Sequence, residues 1–133
     1  MAKPTLNINT YQSGHFGVTV AECIWLDGTQ YAAEKVVDLS GLTSYTTTLS
    51  IRKISVTISA GMSALVQFDL TANEDVIQVP LGALRNEAVF ADEQQGPNGL
   101  PPQTGGSTGD LVVTTIGAAA DDEMCIIVHW HAD

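Results

Sequence analysis

Apolar and polar residues alternate with a period of two along most of this chain, whereas a helical period is nearly absent. The stretch L-S-I-R-K-I-S-V-T-I-S, 49–59, sets Ile54, Val56 and Ile58 on one face and Lys53, Ser55 and Thr57 on the other. The best helical candidate, 31–37, is too short and too β-branched at its end. Because alternate side chains of a strand point to opposite faces, the pattern predicts half-buried β-strands.

Turn signals divide these strands at regular intervals. Asp27-Gly28 follows a predicted strand whose even-numbered residues from 16 to 26 are apolar, except Glu22. These apolar residues are Phe16, Val18, Val20, Ile24 and Leu26. The Asp-Gly pair predicts a hairpin with a return strand over 29–37. The turn S-A-G-M, 59–62, predicts a second hairpin onto 64–70, whose inward residues are Ala64, Val66, Phe68 and Leu70.

Further strands are predicted over 76–81, 88–90, 111–116 and 124–130, and G-A-A-A-D-D-E joins the last two as a pair. Pro80 cannot donate a hydrogen bond to a neighbouring strand, so its strand is short or lies at a sheet edge. The whole pattern predicts an all-β fold, an antiparallel β-sandwich or jelly roll of about seven or eight strands. The 133 residues fit a single domain.

One long segment, 91–109, departs from the strand pattern and contains three of the five prolines. Loops longer than about 12–15 residues are uncommon in compact domains. The segment is either a mobile linker or an extended arm that orders against a neighbouring subunit. Leu100-Pro101-Pro102 suits an arm, because polyproline-like segments lose little entropy on docking. Residues 1–14 are predicted to form an N-terminal arm.

The last strand carries His129-Trp130-His131, and Met124, Ile126, Val128 and Trp130 are predicted to face inward. Two histidines at i and i+2 lie about 6.5–7 Å apart on one face and could share an ion. A catalytic metal needs about three protein ligands, and His15 is far away in sequence. The two histidines are therefore predicted to be outward polar residues, with no metal or cofactor.

Other catalytic signatures are missing from the sequence. The acidic groups at 74–75, 92–93 and 121–123 do not follow a calcium-loop pattern and are predicted to be solvated turns. G-G-S-T-G-D, 105–110, lacks the lysine of a phosphate-binding loop, and no G-x-S-x-G is present. These observations predict that the protein is not an enzyme.

The charge is strongly acidic, with five Lys and Arg against fifteen Asp and Glu and a formal net charge of −10. A nucleic-acid groove needs a basic stripe, and an anionic membrane surface would repel such a chain. The sequence therefore predicts neither partner. No apolar run is long enough for a membrane span, and the first residues lack the apolar core of a secretory signal, so a cytoplasmic site of synthesis is expected. In that compartment Cys23 and Cys125 are predicted to be buried and unpaired.

Three stretches resemble small virion proteins of tailed bacteriophages: Y-A-A-E-K-V-V-D-L-S-G-L-T (31–43), R-K-I-S-V-T-I-S-A-G-M-S-A-L-V-Q-F-D (52–69) and G-S-T-G-D-L-V-V-T-T-I-G-A-A-A-D-D-E-M-C-I-I-V-H-W (106–130). They cover under half the chain. The last is similar to the ending of phage β-sandwich structural proteins, which often finishes in basic residues; here it finishes in H-W-H-A-D. The resemblance implies a capsid decoration or cement protein that binds the major capsid protein in the virion.

On this hypothesis the protein is a homo-oligomer, with a trimer as one option. The predicted partner-binding residues lie in or beside the long segment: Phe90, Pro97, Leu100, Pro101 and Pro102. The alternative is a carbohydrate- or surface-binding module of a fibre or tail, for which the candidate stacking residues are Trp25, Tyr31, Tyr45 and Trp130. A cupin-like metalloenzyme is the third and weakest hypothesis.

Overall fold

The computed structural model describes residues 6–42, 49–69, 74–79, 85–89 and 110–132. In this part of the chain there are nine strands and one short 3-10 helix, Leu39–Gly41. The strands are β1 Asn7–Ser13, β2 Phe16–Ile24, β3 Glu34–Val37, β4 Leu49–Ile58, β5 Ser63–Phe68, β6 Glu74–Val79, β7 Arg85–Val89, β8 Leu111–Ile116 and β9 Glu123–Ala132.

The described strands form two antiparallel sheets with the core between them. One sheet has the strand order β1-β2-β9-β4-β7 and the other has the order β3-β8-β5-β6. A single cluster of buried apolar side chains draws on both sheets. The prediction of an antiparallel β-sandwich is therefore confirmed.

The predicted inward faces of three strands are also confirmed. The buried residues are Ile54, Val56 and Ile58 of β4, Ala64, Val66 and Phe68 of β5, and Met124, Ile126, Val128 and Trp130 of β9. Leu70, also predicted to face inward, lies outside the described residues. Strand β6, which precedes Pro80, lies at the edge of the four-stranded sheet as that proline predicts. Alternation of apolar and polar residues therefore identified the buried faces of β4, β5 and β9 correctly.

The hairpins predicted at 27–28, 59–62 and 117–123 are wrong, because the two strands that each turn joins lie in different sheets. The connections from β2 to β3, from β4 to β5 and from β8 to β9 all cross from one sheet to the other. Strand β9 instead pairs with β2 on one side and with β4 on the other. Turn residues show where the chain reverses, but they do not specify which strand becomes the hydrogen-bonded neighbour.

The prediction of an N-terminal arm over 1–14 is wrong for its described part. Residues Asn7–Ser13 form β1, which pairs with β2 at seven consecutive positions. The strand was not predicted from the sequence because nearly all of its side chains are exposed, so it has no apolar face. The segment 91–109 lies outside the described residues, and its role as an arm stays a prediction.

In strand β2 the odd-numbered residues from 19 to 23 are buried, although the large apolar residues lie at the even-numbered positions. Thr19, Ala21 and Cys23 are buried, whereas Phe16 and Ile24 are 45% and 56% exposed. The reason lies on the neighbouring strand β9, where the large Trp130 ring fills the inner side of the sheet. The residue opposite Trp130 on β2 is a glycine, Gly17, and a Cβ atom there would overlap the indole ring. Small inner residues on β2 make room for a large one on β9.

Candidate functional site

The outer face of the five-stranded sheet carries an apolar and cationic surface near the ends of β1, β2 and β9. In the sheet register Tyr11 is opposite Val18, and Phe16 is opposite His131. Directly opposed residues of antiparallel strands share a face, so these side chains are neighbours. Tyr11 is 68% exposed and Phe16 is 45% exposed. We call Tyr11, Phe16, Val18, Arg52 and His131 the Phe16 patch.

Ring contacts hold the Phe16 patch together. The guanidinium carbon of Arg52 lies 4.9 Å from the centroid of the Phe16 ring, within the range of a cation–π contact. The His131 ring meets the same phenyl ring edge-on, with centroids 5.0 Å apart. His15 stacks on His131 with a centroid distance of 5.5 Å. The phenyl ring is thus held by contacts with two side chains, although Phe16 as a residue is 45% exposed.

His15 is positioned by the backbone at the end of β9. Its Nδ1 atom donates a hydrogen bond to the carbonyl oxygen of Ala132 at 2.8 Å, since a carbonyl can only accept. The amide of Ala132 in turn donates to the carbonyl oxygen of His15 at 2.7 Å. Gly14, with a φ of +60°, makes the tight turn between β1 and β2 that brings His15 there. Nε2 of His15 is therefore the nitrogen that does not carry the proton in the neutral ring.

A shallow groove of about 330 Å³ runs through the patch. It is lined by Tyr11, Gln12, Ser13, Phe16, Gly17, Val18, Arg52, His129 and Trp130. Most of these are apolar or aromatic, and Arg52 is the permanently charged member. The groove therefore offers aromatic and apolar contact with one fixed cation, as protein interfaces built around Tyr and Arg do.

Charge is distributed unevenly along this face. Arg52 and Lys53 are two of only five Lys and Arg residues in a chain with a net charge of −10, and Lys53 is opposite His129. At the other end of the same face, Glu22 is opposite Cys125, and Ile24 is opposite Glu123. At the described positions this face thus has basic and aromatic residues at one end and acidic residues at the other.

Both cysteines line a cavity of about 460 Å³ near the acidic end of the sheet, but from opposite faces. Cys23 is buried beneath the sheet, whereas Cys125 is half-buried on the outer face, so the prediction that both are buried is wrong for Cys125. Burial raises the pKa of both thiols, and the Glu22 carboxylate raises that of Cys125 further. Both thiols are therefore held in the protonated, weakly nucleophilic form.

The predicted orientation of the last strand is confirmed. Trp130 is fully buried, and its Nε1 donates to the Thr19 hydroxyl at 2.9 Å, while His129 and His131 lie half-buried on the outer face. Nδ1 of His129 is buried and has no hydrogen-bond partner among the described residues. Among the described residues no group of three or more His, Cys, Asp or Glu side chains is placed to hold a metal ion.

The structure brings together residues that sequence reasoning did not select. The predicted partner-binding residues Phe90, Pro97, Leu100, Pro101 and Pro102 all lie outside the described residues and stay predictions. Tyr11, Phe16 and Arg52 were missed as a group, because they lie on three separate strands that only the sheet order and the Arg52–Phe16 contact bring together. The apolar parity of β2 was the one signal that could have pointed to them.

Three of the four aromatic residues predicted to stack on a carbohydrate are buried in the core. Trp25, Tyr31 and Trp130 are buried, with exposures of 0%, 1% and 0%, and Tyr45 lies outside the described residues. Trp25 and Tyr31 pack edge-to-face in the core, with centroids 5.3 Å apart.

In the described segments of the chain no helix is long and apolar enough to span a bilayer.

Comparisons with known proteins leave the family open. No family model matches the chain, and no curated protein matches it. One solved structure, described as "CBM4 structure and function", aligns with 88% of this chain and 74% of its own at 14% identity. With a TM-score of 0.25, that likeness carries no argument about this chain.

Proposed function

We propose that this chain is a non-enzymatic structural protein that decorates or cements a phage capsid by binding the major capsid protein. The observation that supports the proposal is the exposed Phe16 patch on the outer face of the sandwich. Contiguous exposed apolar surface on a soluble protein marks an interaction site more often than isolated apolar residues do. The resemblance of 52–69 and 106–130 to phage virion proteins supplies the kind of partner.

The patch has the composition of an interface anchor. Tyr and Arg are enriched among residues that carry binding energy, and aromatic rings provide contact area at a low cost in side-chain entropy. Phe16 is held by Arg52 and His131 before any partner arrives, so little ordering is needed on binding. The net charge of −10 would keep the rest of the surface from adhering to DNA.

Binding to assembled shells tests this function. Shells of the major capsid protein encoded in the same genome are mixed with the protein and sedimented, and the bound fraction is measured against concentration. We expect Phe16→Ser and Tyr11→Ser each to weaken binding by about tenfold or more, since an anchor residue contributes about 2 kcal/mol. Ile116→Ser is the matched control, because Ile116 is 69% exposed on a strand of the other sheet.

Two outcomes would contradict parts of the proposal. If the unmodified protein does not sediment with the shells, the capsid role is wrong. If deletion of 93–108 leaves shell occupancy unchanged, that segment has no part in the mechanism, and Leu100, Pro101 and Pro102 are no longer candidates. Thermal melting of each variant checks that a loss of binding is not a loss of folding.

The second candidate is a carbohydrate- or surface-binding module of a fibre or tail. The observation in its favour is the groove beside Tyr11 and Phe16, where a sugar ring has two exposed aromatic rings to contact. The burial of Trp25, Tyr31 and Trp130 removes the aromatic strip on which the idea first rested. A glycan array with the purified protein tests it, and an array without hits would count against it.

A further inference from the structure

Strand β1 is an edge strand of the described sheet, and its own sequence lacks the residues that usually protect an edge. Its sequence, N-I-N-T-Y-Q-S, contains no charged residue, no proline and no glycine. Among the described strands it has a neighbour, β2, on one side only. An edge strand presents unpaired N–H and C=O groups to other chains, and proteins usually block it with charges, prolines or bulges. A neutral edge of seven residues is unexpected in a chain with fifteen acidic residues.

The other three edges of the described sheets are all protected. Strand β3 is four residues long, contains Glu34 and Lys35, and has an irregular register with its neighbour. Strand β6 begins with Glu74 and Asp75 and also pairs with a register shift. Strand β7, R-N-E-A-V, has two charged residues among five. By contrast β1 pairs with β2 without any register shift, and no other described strand pairs along its outer edge.

We propose that β1 is the contact through which two copies of this chain associate. The two β1 strands pair antiparallel about a two-fold axis at Thr10 and join two five-stranded sheets into one sheet of ten strands. In this register Asn9 of one copy is opposite Tyr11 of the other, and Ile8 is opposite Gln12. The contact is isologous, as in most homodimers.

Charge selects a second copy as the occupant of this edge. Two copies that each carry a net charge of −10 repel one another, so they can pair closely only where no carboxylate is opposed. In β1 paired with itself, none of the seven positions places two charges opposite each other. An edge meant for a basic partner would instead be expected to carry acidic residues, of which this chain has many.

The size of the contact sets its strength. Seven residues at about 3.4 Å per residue give a paired length of about 24 Å. A strand pair of that length buries less than the ~1,600 Å² of a standard interface, although the exposed Ile8 and Tyr11 side chains add apolar area. We therefore expect a dimer in rapid exchange, with a Kd on the order of 10 μM.

Charge-pair variants test the contact. We compare Asn9→Lys/Tyr11→Lys with Asn9→Glu/Tyr11→Glu by sedimentation equilibrium, each from about 1 to about 200 μM. Both positions are exposed, so the monomer fold should tolerate the changes. In a dimer of either variant, four like charges would lie opposite one another in two pairs. Each variant alone should therefore dimerise at least tenfold more weakly than the unmodified protein. Mixed in equal amounts, the two should form a heterodimer at least as tight as the unmodified homodimer.

Ile116→Lys is the matched control, because it adds one charge at an exposed apolar residue of β8, a strand that is paired on both sides. Its self-association should equal that of the unmodified protein. The proposal is overturned if the unmodified protein is monomeric throughout or trimeric, or if the like-charged variants associate normally. It is also overturned if the mixture of opposite charges stays monomeric. No capsid is present in this experiment, so its outcome is independent of the proposed function.

Discussion

Gly17→Ala should destabilise the protein although alanine favours an extended backbone more than glycine does. The added Cβ atom would overlap the six-membered ring of Trp130, lying only 2.6 Å from Cε2 and closer to two further ring atoms. Neither side can yield easily, because Trp130 is fully buried and its Nε1 is held by the Thr19 hydroxyl. The substitution therefore forces a large core side chain out of place.

The expected magnitude follows from two opposing effects. Overpacking a close-packed core costs about 1–3 kcal/mol. Replacing glycine within a strand lowers the entropy of the unfolded chain and returns about 0.5–1 kcal/mol. The net loss in the free energy of unfolding is about 1–2 kcal/mol, or about 4–8 °C in Tm for a domain of this length.

Chemical denaturation and thermal melting measure this loss, with Gly61→Ala as the matched control. Gly61 lies in an exposed turn where an added Cβ meets nothing within 4 Å, so Gly61→Ala should change stability by less than about 0.5 kcal/mol. The double variant Gly17→Ala/Trp130→Phe should be less destabilised than the sum of its single changes, because phenylalanine lacks the ring atoms that the new Cβ meets. A Gly17→Ala protein as stable as the original, or strictly additive effects, would refute the packing argument.

Three further predictions concern buried and titrating groups. Thr19→Val should cost about 1–3 kcal/mol in the free energy of unfolding, measured in urea, because it leaves the buried Nε1 of Trp130 without its acceptor. In the native protein a thiol reagent should label Cys125 in preference to Cys23, and Cys125→Ser should remove the faster phase of labelling, since Cys23 is only 6% exposed. The Ser40 hydroxyl, as the main cause, lowers the pKa of Asp38 below its ordinary 3.8. The ionised Asp38 carboxylate therefore stabilises the folded protein above about pH 4, and this stabilisation is lost as the pH falls below that. In Asp38→Asn, the free energy of unfolding measured against pH should fall less steeply on the acid side.

The inward faces of β4, β5 and β9 were predictable because each strand has one buried face, and alternation is a direct consequence of that geometry. The outward direction of His129 and His131 followed from the same rule. Strand β1 could not be predicted in this way, because it has no apolar face. A strand whose side chains are nearly all exposed has the same kind of sequence as a loop. Strand β1 is defined only by its backbone hydrogen bonds with β2, and these do not require any particular pattern of side chains.

Strand partners could not be predicted, since they depend on which surfaces pack together and not on which residues make a turn. Asp27-Gly28 does form a bend, but Trp25, just before it, exchanges backbone hydrogen bonds with Asp121 and Asp122. The chain then enters the opposite sheet at β3. A sandwich whose consecutive strands change sheets closes its core with such connections, and the local sequence of each remains compatible with a hairpin.

The inverted parity of β2 connects the core to the proposed interface. Counting apolar residues selects Phe16, Val18, Val20 and Ile24 as the buried set, but the core also has a volume to fill, and Trp130 fills it from the neighbouring strand. Once that ring is in place, only small residues fit opposite and beside it, which is what Gly17, Thr19 and Ala21 provide. The apolar residues of β2 then have no role in the core, and their outward position is not required by folding. Apolar residues kept on an outer face without a folding role are most simply explained by contact with a partner.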